Sequence, residues 1–168
     1  MASGRGILRR IVGALSPRRG ASSSIGAGTL DVATTTVAVP TPSDLRLSYA
    51  PDADGDPDAG EIVWTWVPYD ENDGRGKDRP VLVIARASEG RVYALRLTSS
   101  PQLDDRGYVA LGAGEWDRER RPSWVDLERF YSVHPAGMRR EAAALDPERF
   151  TLVARALVAR YGRGIVGA

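Results

Sequence analysis

GEIVWTWVPYDENDGRGKDRPVLVIAR, residues 60–86, decides the fold. Ile62–Val67 is dense in Trp and β-branched residues and predicts a strand. Pro80–Arg86 is almost continuously apolar and predicts a second, buried strand; Pro80 is tolerated at a strand start. Between them, Tyr69–Asp78 is polar and Gly-punctuated, so a loop is expected. Lys77, the only lysine beside twenty-two arginines, stands close to Arg79 where loop and strand meet. Two cations at the mouth of a small β-fold are what a phosphate-handling site uses.

Outward from this stretch, Ser88-Glu89-Gly90 predicts a turn and Arg91–Thr98 a third strand. A polar loop over Ser99–Arg106 leads to a short strand, Tyr108–Leu111. A charged loop, Gly112–Arg121, precedes an extended run, Ser123–Val133. Asp146 and Pro147 then open a helix as N-cap and first helical residue. Its apolar face is Phe150, Val153, Ala154, Leu157 and Val158, and Gly162 stops it behind Tyr161. Short strands closed by one terminal helix predict a mainly β fold, a small half-open β-barrel with a C-terminal helix.

Residues 1–58 are expected to form a flexible N-terminal extension, and residues 59–163 the barrel domain. Ile7, Leu8, Ile11, Val12 and Leu15 share one helical face beside Arg9 and Arg10. That is either a basic amphipathic helix for a partner or membrane surface, or a tail ordered only transiently. Residues 17–44, rich in Ser, Thr, Ala, Gly and Pro, predict a linker. Asp52, Asp54, Asp56 and Asp58 mimic a calcium loop, but Pro57 occupies the glycine position and Val63 the terminal Glu position. A solvated acidic linker is the expectation there.

Composition narrows the chemistry. At 168 residues the chain suits one domain of about 100–150 residues plus an extension. The absence of Cys excludes disulfides, Cys-ligated zinc and thiol catalysis, and fits a reducing cytoplasm. A single histidine, His134, excludes a multi-His metal site. The net charge is only +1, so local patches must do any electrostatic work. No apolar run reaches the roughly 18–20 residues of a membrane span.

GEIVW, a polar loop, GKDRPVLVIAR, a strand ending LTSS, and the helix DPERFTLVARAL together resemble the PemK/MazF toxins of toxin–antitoxin pairs, over about residues 60–160. The resemblance implies an SH3-like barrel that forms a homodimer. It implies metal-independent cleavage of single-stranded RNA, and inhibition by a cognate antitoxin whose disordered tail lies in the RNA groove. By motif position it implies roles for Arg79, which precedes the proline, and for Thr98 and Ser99, which close the third strand. Two positions depart from one branch of the family. Asp73 stands where its first loop carries His, and Trp124 stands where an Arg precedes a strand Asp, here Asp126.

The chemistry gives each residue a task. Cleavage through the 2′-hydroxyl needs a proton acceptor there, a proton for the leaving 5′-oxygen, and donors for the extra phosphate charge. Arg79 suits the last task, because its planar fork grips two phosphate oxygens. Lys77 adds charge, and Thr98 and Ser99 donate hydroxyl bonds. Asp126 is the candidate base, with His134 behind it. The expected catalytic residues are thus Arg79, Thr98 and Asp126, and the expected RNA contacts are Lys77, Ser99, Asp73, Trp124 and His134; no metal or cofactor is called for. Trp64, Trp66, Trp116 and Trp124 either stack bases or fill a core or dimer interface. Each polar residue also has a structural alternative: an ion pair between Arg79 and an acid such as Asp78, a strand-end turn at Thr98-Ser99, an exposed strand position for Asp126, a loop position for His134. The competing functions are an inactive module that binds nucleic acid or a partner through the same groove, and a gyrase-directed toxin on the same barrel.

Overall fold

The computed structural model describes residues 32–52, 56–71, 73–100 and 106–162. The helix expected near residues 7–15 lies outside them, as does most of the loop after Ser99. Seven strands form one antiparallel sheet: β1 (Thr35–Val37), β2 (Glu61–Pro68), β3 (Gly76–Arg86), β4 (Val92–Thr98), β5 (Tyr108–Gly112), β6 (Ser123–Val133) and β7 (Met138–Ala144). One helix, α1 (Pro147–Tyr161), follows. The sheet order is β1-β6-β4-β3-β2-β7, with β5 also on β6.

β3 lies at the middle of this order because Val81–Ala85 is apolar at every position and needs cover on both faces. On one face Ile62, Leu82, Ile84, Leu95, Leu97 and Phe130 pack under Phe150, Val153 and Leu157 of α1. On the other, Val63, Val81, Val83, Ala94, Tyr131 and Val133 form a second cluster. Thr34 at the sheet's first edge reaches Thr65 of β2, with hydroxyls 2.8 Å apart, so the sheet curls toward itself. Among the described residues no ladder closes the curl, and the barrel stays half-open as expected.

The strand expected at Pro80 begins four residues earlier. Gly76 pairs with Pro68, Lys77 with Val67, Asp78 with Trp66 and Arg79 with Thr65. Backbone pairing in the hairpin overrides the polar composition, and charged side chains are tolerated at its open end. Pro80 is therefore inside a strand. It survives there because the β4 ladder starts only at Val81, so its missing N–H breaks no bond on that side.

The linker expected over residues 17–44 ends sooner than that. β1 pairs with Ser132, Tyr131 and Phe130 of β6. Leu45 is 0% exposed in the main core, with Leu47 beside it. Tyr49 donates its hydroxyl to the Leu145 carbonyl at 2.8 Å, and its ring meets Phe150 at 5.4 Å between centroids. A Cβ on Gly60 would stand 2.7 Å from that ring, and its φ of +107° also suits glycine. The apolar side chains Leu45, Leu47 and Tyr49 sit among Ser, Thr and Pro, and burial, not composition, decides their state. The acidic run is corrected likewise at its end: Asp58 is buried and takes Arg86 Nη2 at 2.6 Å.

α1 matches its expectation. Asp146 caps it by accepting from the Arg149 N–H at 2.9 Å, Pro147 follows, and Gly162 ends it. β7, an Arg- and Ala-rich segment, carries no alternating pattern and was not expected; it is a strand because β2 offers it an edge.

Leu45→Ala removes a fully buried side chain contributed from outside the expected barrel. The expected cost is about 2–5 kcal/mol, read as a lower urea midpoint with an unchanged m-value. A midpoint that does not move would show that residues 34–50 add nothing to the fold.

Candidate functional site

The open end of the β2–β3 hairpin and the end of β4 meet. Val81 pairs with Arg96, so Arg79 and Thr98, two residues further along each strand, stand at the same level and project from the same face. A cleft of about 180 Å³ opens there. Lys77, Arg79, Thr98 and Ser99 all line it, with Trp64, Pro80 and Leu97. Four of the residues expected from sequence are thus brought together.

Arg79 and Lys77 form no ion pair with any described carboxylate. Asp78, the neighbour offered as a partner for Arg79, turns instead to Arg139 on β7. Arg79 also contributes to the field at Tyr131. Burial raises that phenol above its usual value, and the charges of Arg96, Arg129 and Arg79 pull it back. Three guanidinium groups therefore act on this one buried phenol.

The other expected residues are placed elsewhere. Asp126 is 2% exposed and does not line the cleft. Its Oδ2 accepts from Arg96 Nη2 at 2.6 Å and its Oδ1 from the Glu128 N–H at 2.9 Å. A carboxylate so enclosed ties β4 to β6, and Asp126 is not among the residues brought together at the cleft. Asp73 folds back on its own loop, accepting from Arg75 N at 3.0 Å and Arg75 Nε at 2.6 Å. Trp124 is half-buried between Thr98 and Ala110 and is not in the cleft lining. His134 follows β6, roughly 35 Å of extended chain from Ser123 at the cleft. Its Nδ1 accepts from the Ala136 N–H at 3.1 Å, capping a 3₁₀ turn over Pro135–Gly137.

Two residues not singled out from sequence, Asp117 and Arg121, also line the cleft. Their loop is anchored by Trp116, which is 3% exposed. The Trp116 indole donates to Ser123 Oγ at 3.1 Å, and its carbonyl accepts from Trp64 Nε1 at 3.2 Å. The Arg149 guanidinium lies 5.8 Å from its ring centroid. Gly114 is required beneath it, since a Cβ would come within 2.1 Å of the ring. Asp117 Oδ2 accepts from Arg121 Nε at 2.8 Å, and Oδ1 from the Glu119 N–H at 3.0 Å. The Arg121 bond above all holds the Asp117 carboxyl below the ordinary carboxylate value, against the effect of burial. The signal in the sequence is the apolar Trp116 inside WDRER, which ties an otherwise solvated loop to the domain.

Arg96→Ala leaves the Asp126 carboxylate buried without its partner. The expected loss is about 3–5 kcal/mol of stability, measured by chemical denaturation. Equal stability of variant and parent would show that the pair is dispensable.

A family model described as the PemK-like, MazF-like toxin of type II toxin–antitoxin systems matches residues 58–160. No curated protein matches the chain. Among solved structures, the MazE–MazF complex (Form II) from Deinococcus radiodurans is similar at 22% identity and a TM-score of 0.50, over 63% of this chain and 96% of that one. An endoribonuclease in complex with its cognate antitoxin, from a Mycobacterial species, is similar at 16% identity and a TM-score of 0.49, over 62% of this chain and 94% of that one. The family match spans more than half of the chain and covers β2 to β7, the cleft and nearly all of α1, so the protein belongs to the PemK-like, MazF-like toxins of type II toxin–antitoxin systems.

Proposed function

We propose that this toxin is a metal-independent endoribonuclease that cleaves single-stranded RNA and is inhibited by a cognate antitoxin. The observation that carries the reading is Arg79: it lines an open cleft, is free of acidic partners among the described residues, and stands level with Thr98. In this reading the 2′-oxygen attacks phosphorus, the bond to the 5′-oxygen breaks, and the products are a 2′,3′-cyclic phosphate and a 5′-hydroxyl. The 2′-hydroxyl gives up a proton and the leaving oxygen gains one. Arg79 binds the non-bridging phosphate oxygens as their charge grows, Lys77 adds a second cation, and the Thr98 and Ser99 hydroxyls donate hydrogen bonds. The protein acts as a homodimer in the cytoplasm, with the antitoxin competing for the cleft.

The enclosure of Asp126 supports a second reading, a module that binds nucleic acid or a partner without cutting it. The carboxylates that line the cleft are Asp78, tied to Arg139, and Asp117, tied to Arg121. A carboxylate whose proton affinity is reduced, as in Asp117, orients better than it abstracts protons. Nuclease action therefore leans on charge stabilisation at Arg79 more than on a strong base.

Inducible expression with mapping of RNA ends in chelator tests the reading. Wild type is expected to arrest growth and to produce cyclic-phosphate and 5′-hydroxyl ends. Arg79→Ala is expected to lower the cleavage rate by about 10²–10³-fold or more and to relieve the arrest while remaining folded. Full toxicity of that variant removes Arg79 from the mechanism; RNA binding by wild type without cleavage favours the module. Asp126→Asn is expected to lower stability and to leave the cleavage rate per folded molecule unchanged. A pure rate loss there, at unchanged stability, would return Asp126 to the chemistry.

A further inference from the structure

Arg121 is held along one edge only. Nε donates to Asp117 Oδ2 at 2.8 Å and Nη2 reaches Oδ1 at 3.4 Å, while Glu119 lies 3.4 Å from Nε. A guanidinium has five N–H donors in a rigid fork. With the Nε side engaged, the two donors of Nη1 and one of Nη2 remain. The side chain is 55% exposed, so those donors stay open to a ligand. Asp117, only 13% exposed, is fixed in its turn: its N–H reaches the Gly114 carbonyl at 3.4 Å, and its carbonyl accepts from Arg120 N at 2.9 Å. The turn hangs on the buried Trp116. Arg120 adopts a φ of +51°, a conformation costly for a non-glycine residue and kept here within this tight loop.

We propose that Arg121 forms a second phosphate-binding subsite in the cleft that Arg79 also lines, and that Asp117 is its positioning residue. The ligand is a phosphodiester of the same single-stranded RNA, one that flanks the bond at Arg79. The inference rests on the RNA reading above. A guanidinium held in place by a carboxylate loses little freedom on gripping a second anion, so its remaining edge binds at small entropic cost. Arg79 fixes one phosphate, and a second grip point in the same cleft sets the direction of the strand. Trp64, which lines the cleft, donates its indole N–H to the carbonyl of Trp116 and so ties the Arg121 loop to β2.

The test measures binding apart from cleavage. A fluorescein-labelled single-stranded RNA with 2′-O-methyl groups throughout cannot be cut through its 2′-oxygens, and its anisotropy gives affinity across a salt series. Arg121→Gln is expected to weaken binding by about tenfold and to reduce the salt slope by about 0.7, the value for one single-strand phosphate contact. Arg121→Lys, which keeps the charge and loses the fork, is expected to weaken binding with an unchanged slope. Asp117→Asn removes a repulsive charge as well as the support. It is therefore expected to favour binding less in wild type than in the Arg121→Gln background, a coupling that the double-mutant cycle isolates. An unchanged slope in Arg121→Gln overturns the subsite, and a cycle without coupling overturns the role of Asp117. An Arg121 effect confined to a purified antitoxin, with RNA binding intact, also overturns it. Failure of the nuclease reading is separate: a wild type that binds this RNA with an Arg121-dependent slope but cuts no RNA keeps the subsite and loses the enzyme.

Discussion

Val81–Ala85 is buried on both faces of the sheet, and the placement of the cleft depends on how that strand is held. A strand with one apolar face is fixed by alternation, because a slip of one residue exposes its core side chains. Val81–Ala85 has no polar face, so alternation alone would tolerate a slip. Its polar start supplies what the apolar part lacks. Gly76 lies under the Trp66 ring, where a Cβ would come within 2.4 Å of it, so no other residue fits that position. Asp78 is tied across β2 to Arg139, and Pro80 sits where the β4 ladder has not yet begun. These end constraints put Arg79 level with Thr98.

The charges follow a consistent division. In the cleft, Asp78 is engaged by Arg139 and Asp117 by Arg121, and away from it the buried Asp126 by Arg96, while Arg79 and Lys77 have no described acidic partner. A protein whose net charge is only +1 can in this way present a cationic cleft, because the carboxylates that line it are paired with arginines. The pairs differ in kind. Arg96–Asp126 is enclosed, with side-chain exposures of 17% and 2%, and its value lies in what happens when one partner is lost. Arg121–Asp117 is open on the arginine side, so it adds little to stability as a surface pair. Its geometry leaves donors for a ligand, which the enclosed pair does not.

Much of this was legible in the sequence. The strands at Ile62–Val67, Pro80–Arg86 and Ser123–Val133 announced themselves through β-branched and apolar runs, and α1 through Asp146, Pro147 and Gly162. The convergence of Lys77, Arg79, Thr98 and Ser99 followed from a motif resemblance combined with a hairpin. Asp126 and His134 lie away from the cleft, a placement the sequence could not show, because a residue type says which chemistry is available, not whether it is within reach. An acid in a strand is read the same way whether it faces substrate or a buried arginine. Asp117 and Arg121 were hidden for the converse reason. Their loop is as polar as any solvated loop, and only Trp116 marks it as anchored. β1 and β7 lack alternating patterns of their own and owe their conformation to the edges they meet.

Those edges show why the segment before the family match became part of the domain. β6 is long, and β4 covers one of its sides along most of its length. On the other side β5 pairs with Ser123–Asp126 and β1 with Phe130–Ser132, so the two share a single edge end to end. Between them Leu127 is left without a strand partner on that side. Its N–H is taken by the Gly107 carbonyl at 2.8 Å, and its carbonyl by the Tyr161 hydroxyl at 2.7 Å, from the last residue of α1. The neighbouring Glu128 is paired with Arg160 of the same helix end. Each backbone group of a buried edge needs a partner, and an open one invites pairing with another chain. Without β1 the far half of β6 would present such an edge beside the aromatic pair Phe130 and Tyr131. Thr35, Thr36 and Val37 close it, the two threonines with short polar side chains and Val37 by packing against the main core. The cost of ordering this segment is offset further along, where Leu45 and Leu47 enter the main core.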